Sequence, residues 1–232
     1  MIKKQFIIIG IVGVLLAVIV IIAGACGSFQ PNTSYEKTID SNTPEPESLQ
    51  TILSKADYIG SMYYEIYVTI TMPHYTAQTL SMRIWQEKPY LKEEITSQTM
   101  GITNTLIVLV RPEGTYVYNP SQGKYVLTTE VPSYVTSLQY LDPKMIRDIL
   151  NNQTITDFET EIIDGKQTTI VEYNIPLIGE NLMTMKIWIW NEKGVPLKAY
   201  MTMTMEEITM TMDFVFSNYS FSDIPDRTFN VT

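Results

Sequence analysis

The sequence predicts a mainly β protein of the α+β class, with about eleven antiparallel strands and two or three helices. Three observations carry that expectation. The stretch 201–216, MTMTMEEITMTMDFVF, alternates apolar and polar residues on both sides of Glu206 and Glu207. The same two-residue period runs through 62–72 and 182–190. Turn-forming clusters cut the remaining apolar runs to strand length: Pro112-Glu113-Gly114, Asn119-Pro120-Ser121-Gln122-Gly123, Asp164-Gly165 and Asn191-Glu192-Lys193-Gly194.

Folding 201–216 between Glu206 and Glu207 sets Met205 against Ile208, Met203 against Met210 and Met201 against Met212. Thr204 then meets Thr209, and Thr202 meets Thr211, on the other face. The methionine face continues through Ala199 and Leu197 on one side and Phe214 and Phe216 on the other. A slip of one residue would turn the whole apolar set to solvent, so the register is strongly specified. Glu-Glu lacks the Gly or Asn of a tight turn, which also allows a wider loop of the same parity.

In chain order, Ser48 to Tyr58 spaces Leu49, Ile52, Leu53 and Ala56 as a helix that ends at Gly60. Strands are expected from 62–72, from about 80 to 85, and from 90–96 after Pro89. The run 105–110 is apolar on both parities, as a strand covered on both faces would be. Short strands at 115–118 and 124–128 pair across the turn between them. Asp142-Pro143 is an N-cap followed by proline at the first helical position, opening a helix through Met145, Ile146, Ile149 and Leu150. A further short helix is expected over 133–140. Strands then return at 155–163, 167–175, 182–190 and 195–205, before the second half of the Met hairpin. The order is a helix, six strands, a helical insert, then five strands.

Lys3 and Lys4 precede an uncharged apolar run, 6–25, which closes on Ala23-Gly24-Ala25 and Cys26, the sole cysteine. A basic start followed by an apolar run is the pattern of an export signal. Its end resembles the lipobox of bacterial and archaeal lipoproteins, with Ala23 where Leu is more usual. That resemblance implies cleavage before Cys26 and attachment of palmitate-type acyl chains there. The run is also about long enough to span a bilayer as an uncleaved helix. Either anchor places the remainder on the extracytoplasmic face of the cell membrane. A lone cysteine excludes an intramolecular disulfide, and no Cys/His cluster supports a structural zinc site.

Residues 27–46 are polar and proline-spotted and read as a flexible tether, leaving 47–232 as one domain. Without Lys3 and Lys4 the chain carries 14 basic and 25 acidic side chains, net −11. That disfavours nucleic acid as a partner and provides no polybasic membrane patch. Asn32, Asn152, Asn218 and Asn230 stand in N-x-S/T sequons, as a glycoprotein would have them.

The body also resembles a family. An aromatic and a proline precede a strand in Trp85-Gln86-Glu87-Lys88-Pro89-Tyr90, and a hairpin begins Gly114-Thr115-Tyr116-Val117-Tyr118-Asn119-Pro120. Ile187-Trp188-Ile189-Trp190 leads to Gly194-Val195-Pro196-Leu197-Lys198, and the chain closes on Phe221-Ser222-Asp223-Ile224-Pro225-Asp226-Arg227-Thr228-Phe229. In this order the motifs resemble the LolA/LolB-like superfamily of outer-membrane lipoprotein carriers and lipoprotein-sorting proteins. The resemblance covers about residues 47–232. It implies a strongly curved, incomplete antiparallel β-barrel with helices covering its concave face. It also implies binding of acyl chains, of a lipid or a lipidated protein, between sheet and helices. If the source is archaeal, as the sequons and the Ile-rich leader suggest, a resident lipid-binding lipoprotein fits better than a shuttle.

Met72, Met82, Ile84, Met183, Met185, Ile187, Met201, Met203, Met205, Met210, Met212 and Phe214 are the candidate cavity residues. Thioether chains are unbranched and polarizable and repack around acyl chains of varying shape. The same residues would also serve as plain core, and Met201, Met203, Met210 and Met212 would equally be the soft ligands of a Cu(I) site. His74, the only histidine, follows Pro73 in a turn with no base or nucleophile beside it. Glu93-Glu94 and Glu206-Glu207 read as solvated acids. No catalytic or nucleotide-binding signature is present, so no enzyme, resident cofactor or metal is expected. The rival to a carrier is an interaction or sensor module of the cell envelope, presenting Trp188 and Trp190 to a protein partner.

Overall fold

The computed structural model describes residues 47–99, 102–128, 143–150, 159–176, 182–205 and 208–231. The leader, Cys26, the tether and the helix expected at 133–140 lie outside the described residues, as do 155–158, Asp142 and the Glu206–Glu207 loop. Helix α1, Leu49–Ser54, runs on as a 3₁₀ turn, Lys55–Tyr58. Strands follow as β1 (Ser61–Thr71), β2 (Gln78–Glu87), β3 (Tyr90–Thr99), β4 (Ile102–Arg111), β5 (Gly114–Asn119) and β6 (Lys124–Thr128). After α2 (Pro143–Leu150) come β7 (Glu159–Ile163), β8 (Lys166–Pro176), β9 (Leu182–Trp190), β10 (Val195–Met205) and β11 (Ile208–Ser220).

All eleven described strands form one antiparallel sheet in the order β6-β5-β4-β3-β2-β1-β11-β10-β9-β8-β7. The first and last strands therefore pair at the centre, and two simple meanders run outward from them to the edges, β6 and β7. The sheet is a curved, incomplete barrel that does not close. Every strand end and strand pairing expected for the Met hairpin is present, from Met205 opposite Ile208 to Met201 opposite Met212.

The inner face packs with α1 and α2 into one apolar cluster. Leu49, Ile52 and Leu53 of α1 and Ile146 and Leu150 of α2 join Ile66, Val68 and Ile70 of β1 and the inner residues of β8–β11. Ser48 caps α1, its Oγ accepting from Thr51 N at 3.2 Å. Lys55 Nζ ties the following turn down, donating to Glu47 at 2.6 Å and to Asn191 O at 2.7 Å. The outer face has its own cluster, where the C-terminal segment lays Ile224 and Phe229 over Leu109, flanked by Trp85, Tyr90 and Tyr116. Val108 and Leu109 point to opposite faces and both are fully buried, so β4 is covered on both sides as its sequence predicts.

Two bulges stand side by side. Between Pro196 and Lys198 the pairing of β10 with β9 shifts, which lets a proline, with no N–H to give, sit in a central strand. Between Tyr63 and Glu65 of β1 the partner strand jumps from Ser220 to Ser217, so Asn218 and Tyr219 of β11 together stand opposite Tyr64, one residue more than the ladder needs. Asn218 takes the left-handed conformation, φ 54°, and its Nδ2 donates to Glu65 Oε2 at 2.8 Å. Tyr219 links the two bulges through its hydroxyl, which donates to Pro196 O.

A methionine wall and its two buried polar atoms

Antiparallel pairing stacks the inner residues of neighbouring strands into rows. One row crosses the sheet as Tyr173, Met185, Met201, Met212 and Ile70. Beside it Met183, Met203 and Met210 form a second row on β9, β10 and β11. On the other side Ile187, Ala199, Phe214 and Val68 form a third. Met82 opposes Ile66, and Ile84 opposes Tyr64, carrying the wall onto β2. Of the twelve sequence-predicted cavity residues, ten are buried members of this one cluster. Met72 is half-buried and packs against it. Met205 is placed by its backbone pairing with Ile208. The wall is thus continuous across six strands, β8 to β11, β1 and β2, with thioethers concentrated on β9–β11.

Two polar groups in this wall were not among the candidate cavity residues. Glu93 of β3 is 2% exposed, and its Oε2 has no hydrogen-bond partner. It lies between Leu91 and Ile95, which both pack on the main cluster, and directly between Ile84 of β2 and Val108 of β4. Burial alone raises its carboxyl to about 7. The expectation of a solvated Glu93-Glu94 pair is therefore wrong for Glu93. Its neighbour points to the other face, where Glu94 meets Arg83 at 2.7 Å and Lys92 at 3.0 Å. The signal was available in parity, since Leu91, Glu93 and Ile95 share a face. The second group is Tyr173, whose buried hydroxyl also lacks a hydrogen-bond partner and whose phenol burial pushes well above its ordinary range.

The outer face corrects a second expectation. Trp188 is 9% exposed, its Nε1 donating to Glu161 Oε2 at 2.6 Å, with Lys186 and Lys198 over its ring. It is not open to a partner. Trp190 is half-buried against Phe221 with Lys166 over its ring, at the rim of a cleft of about 440 Å³ beside the two bulges. His74 lies exposed in the β1–β2 turn. Among the described residues no group of three His, Cys, Asp or Glu side chains converges. Asn218 and Asn230 are exposed, whereas Asn32 and Asn152 lie outside the described residues. No described helix is long and apolar enough to cross a membrane.

No protein-family model matches the chain, and no curated protein matches it in sequence. Among solved structures, a LolA superfamily protein from Nitrosomonas europaea is 14% identical, over 79% of this chain and 98% of that one, with a TM-score of 0.37. LprF from Mycobacterium bovis is 15% identical over 74% of this chain and 92% of that one, TM-score 0.37. The MucA/MucB complex of Pseudomonas aeruginosa gives 9% identity over 79% of this chain and 61% of that one, TM-score 0.43. The superfamily that the sequence motifs resemble is among these likenesses.

Proposed function

We propose that the chain is a membrane-tethered, extracytoplasmic binding protein that holds acyl chains of a lipid or lipidated protein on its methionine wall. Its role is that of a carrier or chaperone, not an enzyme. One observation carries the reading: directly opposed methionines on three neighbouring strands form an unbroken apolar surface under helices that belong to a separate layer. A core that need only be stable is better filled by Leu and Ile, whose rotamers are well defined. Methionine at adjacent positions gives up that definition for a surface able to repack around chains of different shape. The burial of the wall in this state means that α1 and α2 occupy the place an acyl chain would take, so uptake displaces a helix from the sheet. Among the described residues Glu93 is the one deeply buried acid, and its Oε2 has no hydrogen-bond partner, which supports binding over catalysis.

In this proposal 1–26 is the signal or anchor, with Cys26 as the lipidated residue, 27–46 is the tether, and 47–232 is the binding domain. Asn32, Asn152, Asn218 and Asn230 are its glycosylation candidates. Every described strand and both apolar clusters lie within 47–231, which supports this division. Isolation of 47–232 from the cell envelope, followed by solvent extraction and mass spectrometry, should yield bound acyl lipid. A lipid-free domain that also takes up no fluorescent fatty acid would sink the carrier reading.

The alternative of an envelope interaction module draws on one outer-face feature. Tyr67 and Val215, paired across β1 and β11, are both exposed at the centre of the sheet. Co-purification of a protein that dissociates on Tyr67→Ser, without lipid, would favour it.

A further inference from the structure

A carboxylate oxygen kept out of water without a donor costs more than the leucine or glutamine that would fill the same space. Glu93 sits in that condition among Ile84, Met82 and Gln86 of β2, Val108, Leu106 and Val110 of β4, and Leu91 and Ile95 of its own strand. None of these titrates, and Gln86 is the only polar one. The charged residues nearest in sequence, Lys92, Glu94 and Arg83, occupy the opposite face and pair with one another there. Among the described residues no charge is a cause of the displaced titration of Glu93, which comes from burial. A buried polar atom with no partner calls for a specific reason, and a structural bond is not that reason here.

We infer that Glu93 is the headgroup-selecting site of the wall and takes an amphiphile carrying a protonated amine. The inference rests on the acyl-binding reading and adds the chemistry of the polar end. An ammonium supplies both the donor that Oε2 lacks and the counter-charge that lets the carboxyl ionise in place. A fatty-acid carboxylate brings a second negative charge to the same dry site, so it enters only with a proton, at a corresponding loss of affinity. An uncharged alcohol supplies a donor without charge and falls between them. The wall holds the chain by shape alone, while Glu93 sorts chains by their heads.

The test is a competition series on segment 47–232, displacing a fluorescent acyl probe with dodecylamine, dodecanol and dodecanoate above neutral pH. The amine is expected to bind roughly tenfold or more tighter than the acid, with the alcohol between. Glu93→Gln keeps the shape and should bring the three within about threefold of one another. Glu94→Gln, on the opposite face, should leave the order unchanged, and thermal melts of both variants check that the fold persists. Equal binding of amine and acid by the unaltered domain overturns the inference and leaves the acyl wall standing. A preference that survives Glu93→Gln overturns it as well. Failure of all three to displace the probe, or of the probe to bind, overturns both readings.

Discussion

Met203 of β10 and Met210 of β11 stand directly opposite one another, 1% and 5% exposed, at the middle of the methionine wall. Their pairing makes conservative changes more informative than disruptive ones. Met203→Ala opens a cavity and should cost about 2–5 kcal/mol in urea unfolding, whereas Met203→Leu should cost below about 1.5 kcal/mol. The leucine variant should also bind a narrower range of acyl shapes, read from displacement curves across chain lengths and branching. Glutamate at both positions would oppose two buried carboxylates with no counter-charge, so the fold is expected to fail before uptake can be read.

Glu93 predicts the pH profile of stability. Its carboxyl titrates at about 7 in the folded chain, against 4.5 for the unperturbed group. Between those values the folded chain holds a proton that the unfolded chain has released. Stability therefore falls as pH rises through that window and levels off above it, a total loss of about 3 kcal/mol. Glu93→Gln should flatten the curve and be the more stable protein above neutral pH. Urea midpoints collected from about pH 5 to pH 8 decide this. Parallel slopes in the two proteins would mean that Glu93 reaches solvent.

Gly194 couples the β9–β10 turn to the first helix. Its φ is +71°, and a side-chain carbon there would press into the carbonyls of Ile52 and Leu53. Gly194→Ala combines a left-handed alanine, roughly 1 kcal/mol by itself, with loss of the helix seat. A lowered melting temperature together with faster hydrogen exchange in 49–58 is expected. Exchange unchanged in that segment would show that the turn yields and the helix stays.

Cys26→Ser separates the two anchors. A lipidated chain should lose both palmitate label and its partition into the detergent phase of a Triton X-114 extraction. Retention of the variant in the detergent phase would identify an uncleaved apolar helix instead.

The Met hairpin was legible because its alternation is unbroken over both strands, so parity alone fixes which side chains meet. Leu109 was legible for a related reason, since β4 is apolar on both parities. Glu93 was not, although parity put it between Leu91 and Ile95, because an adjacent pair of acids is ordinarily solvated. Trp188 was misplaced because its cover comes from the long side chains of Lys186, Lys198 and Glu161, and alternation says nothing about what lies over the outer face. The bulge at Pro196 depends on a partner strand and on Tyr219 from a third. Such a feature is a property of the assembled sheet, with no local signal beyond the proline itself.

The central seam has a consequence for how the chain is made. Tyr67 of β1 pairs with Val215 of β11, 148 positions later, while all other strand pairings except that of β1 with β11 join consecutive strands. During synthesis each meander can therefore zip from its own hairpins, but β1 keeps one side unpaired until β11 has emerged. Through that interval the nascent protein carries an exposed strand edge and a half-covered thioether surface, the two features most prone to capture by other chains. Of the described strands, β11 is the last to be made and the one that completes the sheet, and truncation within β11 should leave two half-sheets with no seam to join them.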